Sequence, residues 1–517
     1  MMRSFYSKHL RFINAFLLAL IPVTVCLLRA LVAKRSLFDV WFCGSNWQDE
    51  LYYWQLTNDV VHYGVPQGYF GFNESSAQIL SFSAWSPFLL IFWVLPGLIF
   101  GWGFLSPVIF NIVLFSIALF IFAYLVKPRP FNTLLLGLLL FVMTPLSRFL
   151  MSCMAEIQVI SVLIVFLGFS FALYESYKKS YLVWAMILLS LMTLMRPYLV
   201  LFLIFPTVAM FKHGKNRIVP GVVGVISLVL YLLENKFFAP KYFDDYFRTD
   251  WIKSFFTDGF AAGLTNMFGS IKNFGSQILG LVWPGIRYGK DGIAAYYGVF
   301  VAFTAIFIAL SVISVITQRK YTAYIISMAL LYLAMFFAIV LMYKVDEGYR
   351  HVLLFVVAGI LILAVSADHI TGAVTSGIAF LLITWVFVYK ARSDYFYHVP
   401  FADEGVAMVD DMKEQMAQNM ELKEGITWDN TVIWVSADYI EETDEYSETL
   451  WRMLYGLPAG YALNICSAEY VNTNIDSLKS GYIATVPGGT VEKNLLTGNA
   501  SEFARNEYFV MYDIRNR

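Results

Sequence analysis

Charge is what this chain has least of. Asp, Glu, Lys and Arg make up 14% of its 517 residues, too few to cover the surface of a water-soluble protein of this size. Acids and bases nearly cancel, leaving a net charge of -1. No basic tract occurs, so nothing points to nucleic acid. Cysteine is sparse too. Cys26, Cys43, Cys153 and Cys466 show neither CxxC nor CxxxH spacing, which argues against a metal cluster and gives no basis for a disulfide framework. No glycine-rich nucleotide pattern appears, and Pro487-Gly488-Gly489 is a turn signal only. What is plentiful is apolar: 59% hydrophobic and 18% aromatic residues, the composition of a polytopic α-helical membrane protein.

A span needs about 20 apolar residues. About eleven stretches qualify: 11–33, 107–126, 131–147, 157–174, 181–195, 197–211, 218–233, 294–316, 321–342, 352–366 and 372–390. The first follows Arg3, Lys8 and Arg11, and Arg29 to Arg35 make a poor cleavage site, so it reads as a retained span. Lys127 and Arg129, Lys178 and Lys179, Lys212 with Lys215 and Arg217, and Arg319 with Lys320 fall in loops of one parity. The positive-inside rule puts those loops and the N-terminus in the cytoplasm. The long loops 34–106 and 234–293, and everything after 391, are then outside, as in a bacterial plasma membrane protein. Two points bear on this map. The apolar run Trp85 to Phe100 is read as a juxtamembrane or half-inserted helix broken at Pro96-Gly97, because a further full span would move every later basic loop outside. Residues 181–211 are either two short spans meeting at Arg196-Pro197 or one kinked helix; two spans keep the basic loops inside.

Loop 34–106 opens with Ser45-Asn46-Trp47-Gln48-Asp49-Glu50-Leu51-Tyr52-Tyr53-Trp54. Ser45 and Gln48 have capping-box spacing, Gly64 suits a helix C-terminus and Pro66 forbids continuation. This predicts a helix with Asp49 and Glu50 in its first turn, where the helix dipole favours ionised carboxylates. Loop 234–293 interleaves aromatics with Asp244, Asp245, Arg248, Asp250 and Lys253, a pattern of interfacial helices closed by the turn-rich segment Trp283 to Lys290. Beyond 391 an amphipathic helix is predicted over 401–421, with strands at Thr431–Val435, Tyr482–Val486 and Tyr508–Tyr512. The chain therefore divides into a membrane domain, 1–391, and a small extracytoplasmic α/β domain, 392–517.

The order of these features resembles the GT-C superfamily of membrane glycosyltransferases, which includes protein O-mannosyltransferases and the transferases that add aminoarabinose to lipid A. The matching residues are Asp49-Glu50-Leu51-Tyr52-Tyr53, then Ser86-Pro87-Phe88-Leu89 running to Phe100-Gly101, Glu156, Met195-Arg196-Pro197 and Tyr349-Arg350-His351. Relatives often carry His or Lys in the Pro motif where this chain has Ser86-Pro87, which leaves the acceptor subfamily open. The resemblance implies inverting transfer of a sugar from a polyprenyl-phosphate carrier to a glycan, lipid or protein acceptor at the outer face.

Chemistry sets the minimal site independently. No nucleotide-sugar pool exists outside the cytoplasm, so the donor must arrive on a lipid carrier. Its phosphate leaves readily but needs cations for the growing charge, and the acceptor hydroxyl needs a base. Asp49 is the candidate base. Arg350, with Lys344 or Arg287, is the candidate phosphate contact. Glu50, Tyr52, Tyr53, Glu156 and Arg196 complete the substrate-binding set, with Tyr52, Tyr53 and Trp54 available to stack on a sugar ring. No cofactor is required by this chemistry, and a divalent metal is compatible with the carboxylates. Plainer roles stand beside these: Glu156 pairing with Arg148, Arg196 snorkelling, Arg350 anchoring at the interface. The alternative class is a polysaccharide or lipid-linked oligosaccharide transporter or flippase. It would require charged residues near the middles of the spans, and those are nearly absent.

Overall fold

The computed structural model describes residues 2–42, 47, 49–65, 71–74, 86–238, 248–289, 292–343, 345–366, 370–390, 399, 401–402, 405–425, 427–448 and 455–515. Helices α1 (Met2–Ala19) and α2 (Ile21–Val32) form the first span, jointed where Pro22 enters the second helix. Next come α3 (Asp49–Tyr63), strand β1 (Gly71–Phe72), α4 (Ile91–Phe100), α5 (Ser106–Val126), α6 (Pro130–Phe141), α7 (Thr144–Leu150), α8 (Glu156–Glu175), α9 (Lys179–Met195), α10 (Ile204–Lys212) and α11 (Ile218–Phe238). Then follow α12 (Asp250–Thr257), α13 (Phe260–Arg287), α14 (Gly292–Ile316), α15 (Thr322–Met342), α16 (Val345–Val365) and α17 (Ile370–Ile383), the last continued by a π-helical turn to Lys390.

Among the described residues eight helices are long and apolar enough to span a membrane, and this is an integral membrane protein. Three of the eleven expected stretches behave differently. Residues 131–147 become α6 and α7, bent by 69° at Val142-Met143. Stretches 181–195 and 197–211 form short apolar helices instead of spans of full length. Pro197 is the cause of their break. It forces the preceding Arg196 into extended backbone (φ -149°, ψ 109°), which ends α9, and the chain resumes as a 3-10 turn over Pro197–Leu203. Spans α8 and α16 are enclosed almost all round, whereas α11 leaves Val225, Ile226, Leu232 and Leu233 exposed.

Two proline readings are corrected. Helix α4 is not broken at Pro96-Gly97 but runs through both. Gly97 lets α4 approach α3 closely: a Cβ there would lie 2.8 Å from a methyl of the Val61 side chain of α3. Likewise α13 continues through Pro284 to Arg287 where a turn was expected, and a Cβ on Gly285 would fall 1.9 Å from the Ala294 carbonyl oxygen of α14. Loop 234–293 thus holds amphipathic α12 and α13. Arg248 and Trp251 cap the C-terminal carbonyls of α15, with Arg248 donating to Ile339, Val340 and Tyr343 and the Trp251 indole to Leu341 at 2.9 Å.

The C-terminal unit contains α18 (Gly405–Asn419), β2 (Thr431–Val435), the hairpin β3 (Ala437–Ile440) and β4 (Glu445–Glu448), β5 (Ala462–Cys466), α19 (Ala468–Asn474), β6 (Tyr482–Thr485), α20 (Thr490–Leu496), β7 (Ser501–Arg505) and β8 (Val510–Asp513). Its main sheet runs β1-β5-β2-β6-β8-β7. The first strand of that sheet is borrowed from loop 34–106. Gly71 and Phe72 pair in parallel with Asn464 and Ile465. Glu74 follows and accepts from the backbone N–H groups of Lys479 and Ser480 and, at 2.6 Å, from the Ser480 hydroxyl.

Candidate functional site

Helix α3 is as the sequence requires: Asp49 and Glu50 lie in its first turn, and Gly64 ends it at φ +76°. The proposed cap residues Ser45 and Gln48 lie outside the described residues. Successive helical side chains diverge by about 100°, and the two acids part accordingly. Glu50 turns inward to full burial. It accepts the Cys153 N–H at 3.1 Å and lies 3.6 Å from the Arg148 guanidinium of α7. Arg148 also covers the Trp47 ring, which stacks on Phe149 at 4.9 Å. Glu50 is therefore a buried strut, not an open sugar contact, and the Arg148 partner is Glu50 rather than Glu156.

Asp49 points the other way. Its carboxylate, 32% exposed, meets the Arg350 guanidinium of α16 at 2.7 Å. Glu156, the first residue of α8, pairs with Arg196 at 3.4 Å. The extended backbone imposed by Pro197 is what frees Arg196 from the helix to make that reach. Tyr53, one helical turn after Asp49, lies within electrostatic range of Arg196, Glu156, Asp49 and Arg350 together. Burial lifts its phenol well above the ordinary tyrosine value, so it stays a neutral donor. Five expected residues from four separate segments, Asp49, Tyr53, Glu156, Arg196 and Arg350, thus converge on one place.

Others do not join them. Arg287 is exposed at the end of α13, over Tyr288 and Trp283, outside these ion pairs. Lys344 lies outside the described residues. Tyr52 is half-buried on the main core. Trp54 cannot stack on a sugar as expected, because its ring is already packed against Trp102 and Phe104, each at 5.0 Å. The structure adds residues the sequence did not flag. Tyr296 of α14 is buried near Arg148, Glu156 and Arg350 and packs on Tyr349 at 5.4 Å. Tyr198 shares a 2.9 Å hydrogen bond with Nδ1 of His351. No motif marks either tyrosine; each is one aromatic in an apolar run.

Among the described residues no three His, Cys, Asp or Glu side chains converge as metal ligands. Asp49 and Glu156 each face a guanidinium. Chemically, the cluster offers a partly open carboxylate, two cations and a buried phenol where the membrane bundle meets the C-terminal unit.

No protein-family model matches this sequence, and no curated protein does. Two solved structures are similar in overall arrangement. One is ArnT from Cupriavidus metallidurans bound to undecaprenyl phosphate, with 10% identity, a TM-score of 0.45, and 96% of this chain and 97% of the other covered. The second is the same protein in the apo state, with 10% identity, a TM-score of 0.39 and coverage of 90% and 92%.

Proposed function

We propose that this protein transfers a sugar from a polyprenyl-phosphate carrier to an acceptor at the outer face of the membrane, with inversion at the anomeric carbon. The carrier belongs to the lipid class bound in the similar ArnT structure, but that distant likeness is not the support. The supporting observation is the 2.7 Å Asp49–Arg350 pair, partly open, with Glu156–Arg196 and Tyr53 beside it. In the proposed reaction the donor phosphate takes up Arg350 and draws on the field of Arg196. Competition for Arg350 loosens its hold on Asp49. The acceptor oxygen then attacks the anomeric carbon from the face opposite the phosphate, the bond to the phosphate oxygen breaks with its electron pair, and the acceptor proton passes to Asp49. Guanidinium groups suit the leaving phosphate because they stay charged and bind it in bidentate fashion.

The test is an assay of the purified protein with a polyprenyl-phosphate-linked sugar, following release of free polyprenyl phosphate. Arg350→Ala should weaken donor use by a few kcal/mol, the scale of a charge-assisted hydrogen bond removed from a poorly solvated site. Unchanged donor affinity and turnover would remove Arg350 from the mechanism and leave it an anchor for α3.

A further inference from the structure

A second cationic feature lies apart from the Asp49–Arg350 pair. A cleft of about 790 Å³ opens between the end of α2, the α6–α7 bend, the π-helical turn after α17, and Val399, Phe401 and Ala402. Its walls are apolar, with Leu28, Phe141, Val388 and Phe401 among them, and among the described residues no carboxylate lines it. Two guanidinium groups do: Arg29, half-buried, and Arg35, exposed. Arg29 donates from Nη1 to the Ser147 hydroxyl at 2.8 Å and to the Thr144 carbonyl at 3.3 Å, and has no acidic partner among the described residues. Asp39, in the turn that follows α2, accepts from the Ser36 N–H at 2.8 Å. Arg148 lies within electrostatic range as well, its own charge met by Glu50.

The depth of the cleft says what kind of anion would enter. Arg29 sits in the last turn of the first span. Leu31 and Val32 beside it are largely exposed apolar residues, and Val32 also lines the cleft. In the same π-helical turn as the wall residues Phe387 and Val388, Trp385 and Tyr389 stack at 5.1 Å and are also exposed, as aromatics at the headgroup level are. A half-buried guanidinium with no carboxylate partner among the described residues, in an apolar cleft at that level, is matched by a molecule with a phosphate at the interface and acyl chains below it.

We propose that this cleft is a binding site for an anionic phospholipid of the bilayer, with its phosphate on Arg29 and Arg35 and its chains against Leu28, Phe141 and Val388. The proposal rests on the cleft alone and does not require the transferase reading. It has a structural consequence: Arg29 holds Ser147, the next residue Arg148 holds Glu50, and Glu50 fixes α3. A lipid on Arg29 therefore steadies α7, and through it the helix that carries Asp49.

The full-length protein in detergent would be titrated with phosphatidylglycerol, phosphatidylcholine and inorganic phosphate, reading bound lipid by native mass spectrometry and midpoint by thermal unfolding. Phosphatidylglycerol should bind and raise the midpoint, phosphatidylcholine should bind about tenfold or more weakly, and inorganic phosphate should have no effect below millimolar levels. Arg29→Gln should weaken phosphatidylglycerol binding about tenfold or more, on the scale of one charge-assisted hydrogen bond, with partial rescue in Arg29→Lys. Arg35→Gln, at an exposed position that does not endanger folding, should weaken it less but measurably. Equal binding of both lipids, or undiminished phosphatidylglycerol binding in Arg29→Gln and Arg35→Gln, would overturn the proposal. A midpoint shift produced equally by inorganic phosphate would do so too.

Discussion

At the scale of single residues, Asp49 and Glu50 carry the same functional group into opposite surroundings. Glu50 is fully enclosed and tied to Arg148 and Cys153, while Asp49 keeps a third of its side chain open beside Arg350. Their substitutions should therefore separate cleanly. Asp49→Asn keeps the shape and removes the base, so turnover should fall by about two to four orders of magnitude with little change in thermal midpoint. Glu50→Ala leaves Arg148 buried without its acid, a destabilisation of about 3–5 kcal/mol, so it should lower the midpoint and activity together. Turnover and unfolding would be measured side by side for both, with Glu156→Gln as a third variant. An active Asp49→Asn beside a dead Glu156→Gln would transfer the role of base to Glu156. The sequence placed both acids in one helical turn and set them 100° apart, but it could not say which faced inward, because that depends on Arg148 arriving from α7. The partners of Glu156 and Arg196 were hidden for a similar reason, since Pro197 alone does not announce the direction in which Arg196 is released.

At the scale of elements, α3 is held from two sides. The membrane bundle grips its N-terminus through Glu50, and the C-terminal unit grips its second half. Gln55 donates to the carbonyls of Pro458 and Tyr461, each at 3.2 Å, and Asp59 accepts the Gly460 N–H at 2.8 Å. Asp59 is buried, and burial raises its carboxyl well above the ordinary value, opposed only in part by the Gly460 N–H. A raised folded pKa means that the folded state holds the proton more tightly. The stabilising share from Asp59 is then complete below the ordinary carboxylate value of about 4 and is lost as pH rises through the folded value. Asp59→Asn, neutral at every pH and still able to accept from Gly460, should flatten this slope and raise stability at neutral pH. Unfolding midpoints of both proteins between pH 4 and pH 8 would check it, and parallel curves would refute it. Long apolar runs and the Gly64 stop made the spans and α3 legible in the sequence. Strand β1 was not legible, because two residues carry no alternation and its partner β5 lies some 390 positions away. The continuous path of α13 through Pro284 was not legible either, because the fit of Gly285 against Ala294 is a tertiary matter.

At the scale of the whole molecule, the charges sort to two ends of the bundle. At one end Lys212 reaches the Tyr174 carbonyl at 3.0 Å, Lys320 pairs with Glu175 at 2.8 Å, and Arg11 reaches the Tyr124 carbonyl, so three of the basic segments meet around the ends of α5 and α8. The other end holds α3, the Asp49–Arg350 pair and the C-terminal sheet, which is joined to loop 34–106 through β1, Glu74 and the Val40–Phe401 bridge. Because the ends are structurally distinct, one assignment orients everything, and we propose from the positive-inside rule that the basic end is cytoplasmic. Single cysteines at Lys215 and Asn499, both exposed, in a background lacking the native four, would be labelled in intact cells with an impermeant thiol reagent. Asn499→Cys should react and Lys215→Cys should be protected until the membrane is opened. The reverse pattern would invert the protein and place the Asp49 cluster in the cytoplasm. Nucleotide sugars are available there, and the argument for a lipid-carried donor would then lose its physical basis.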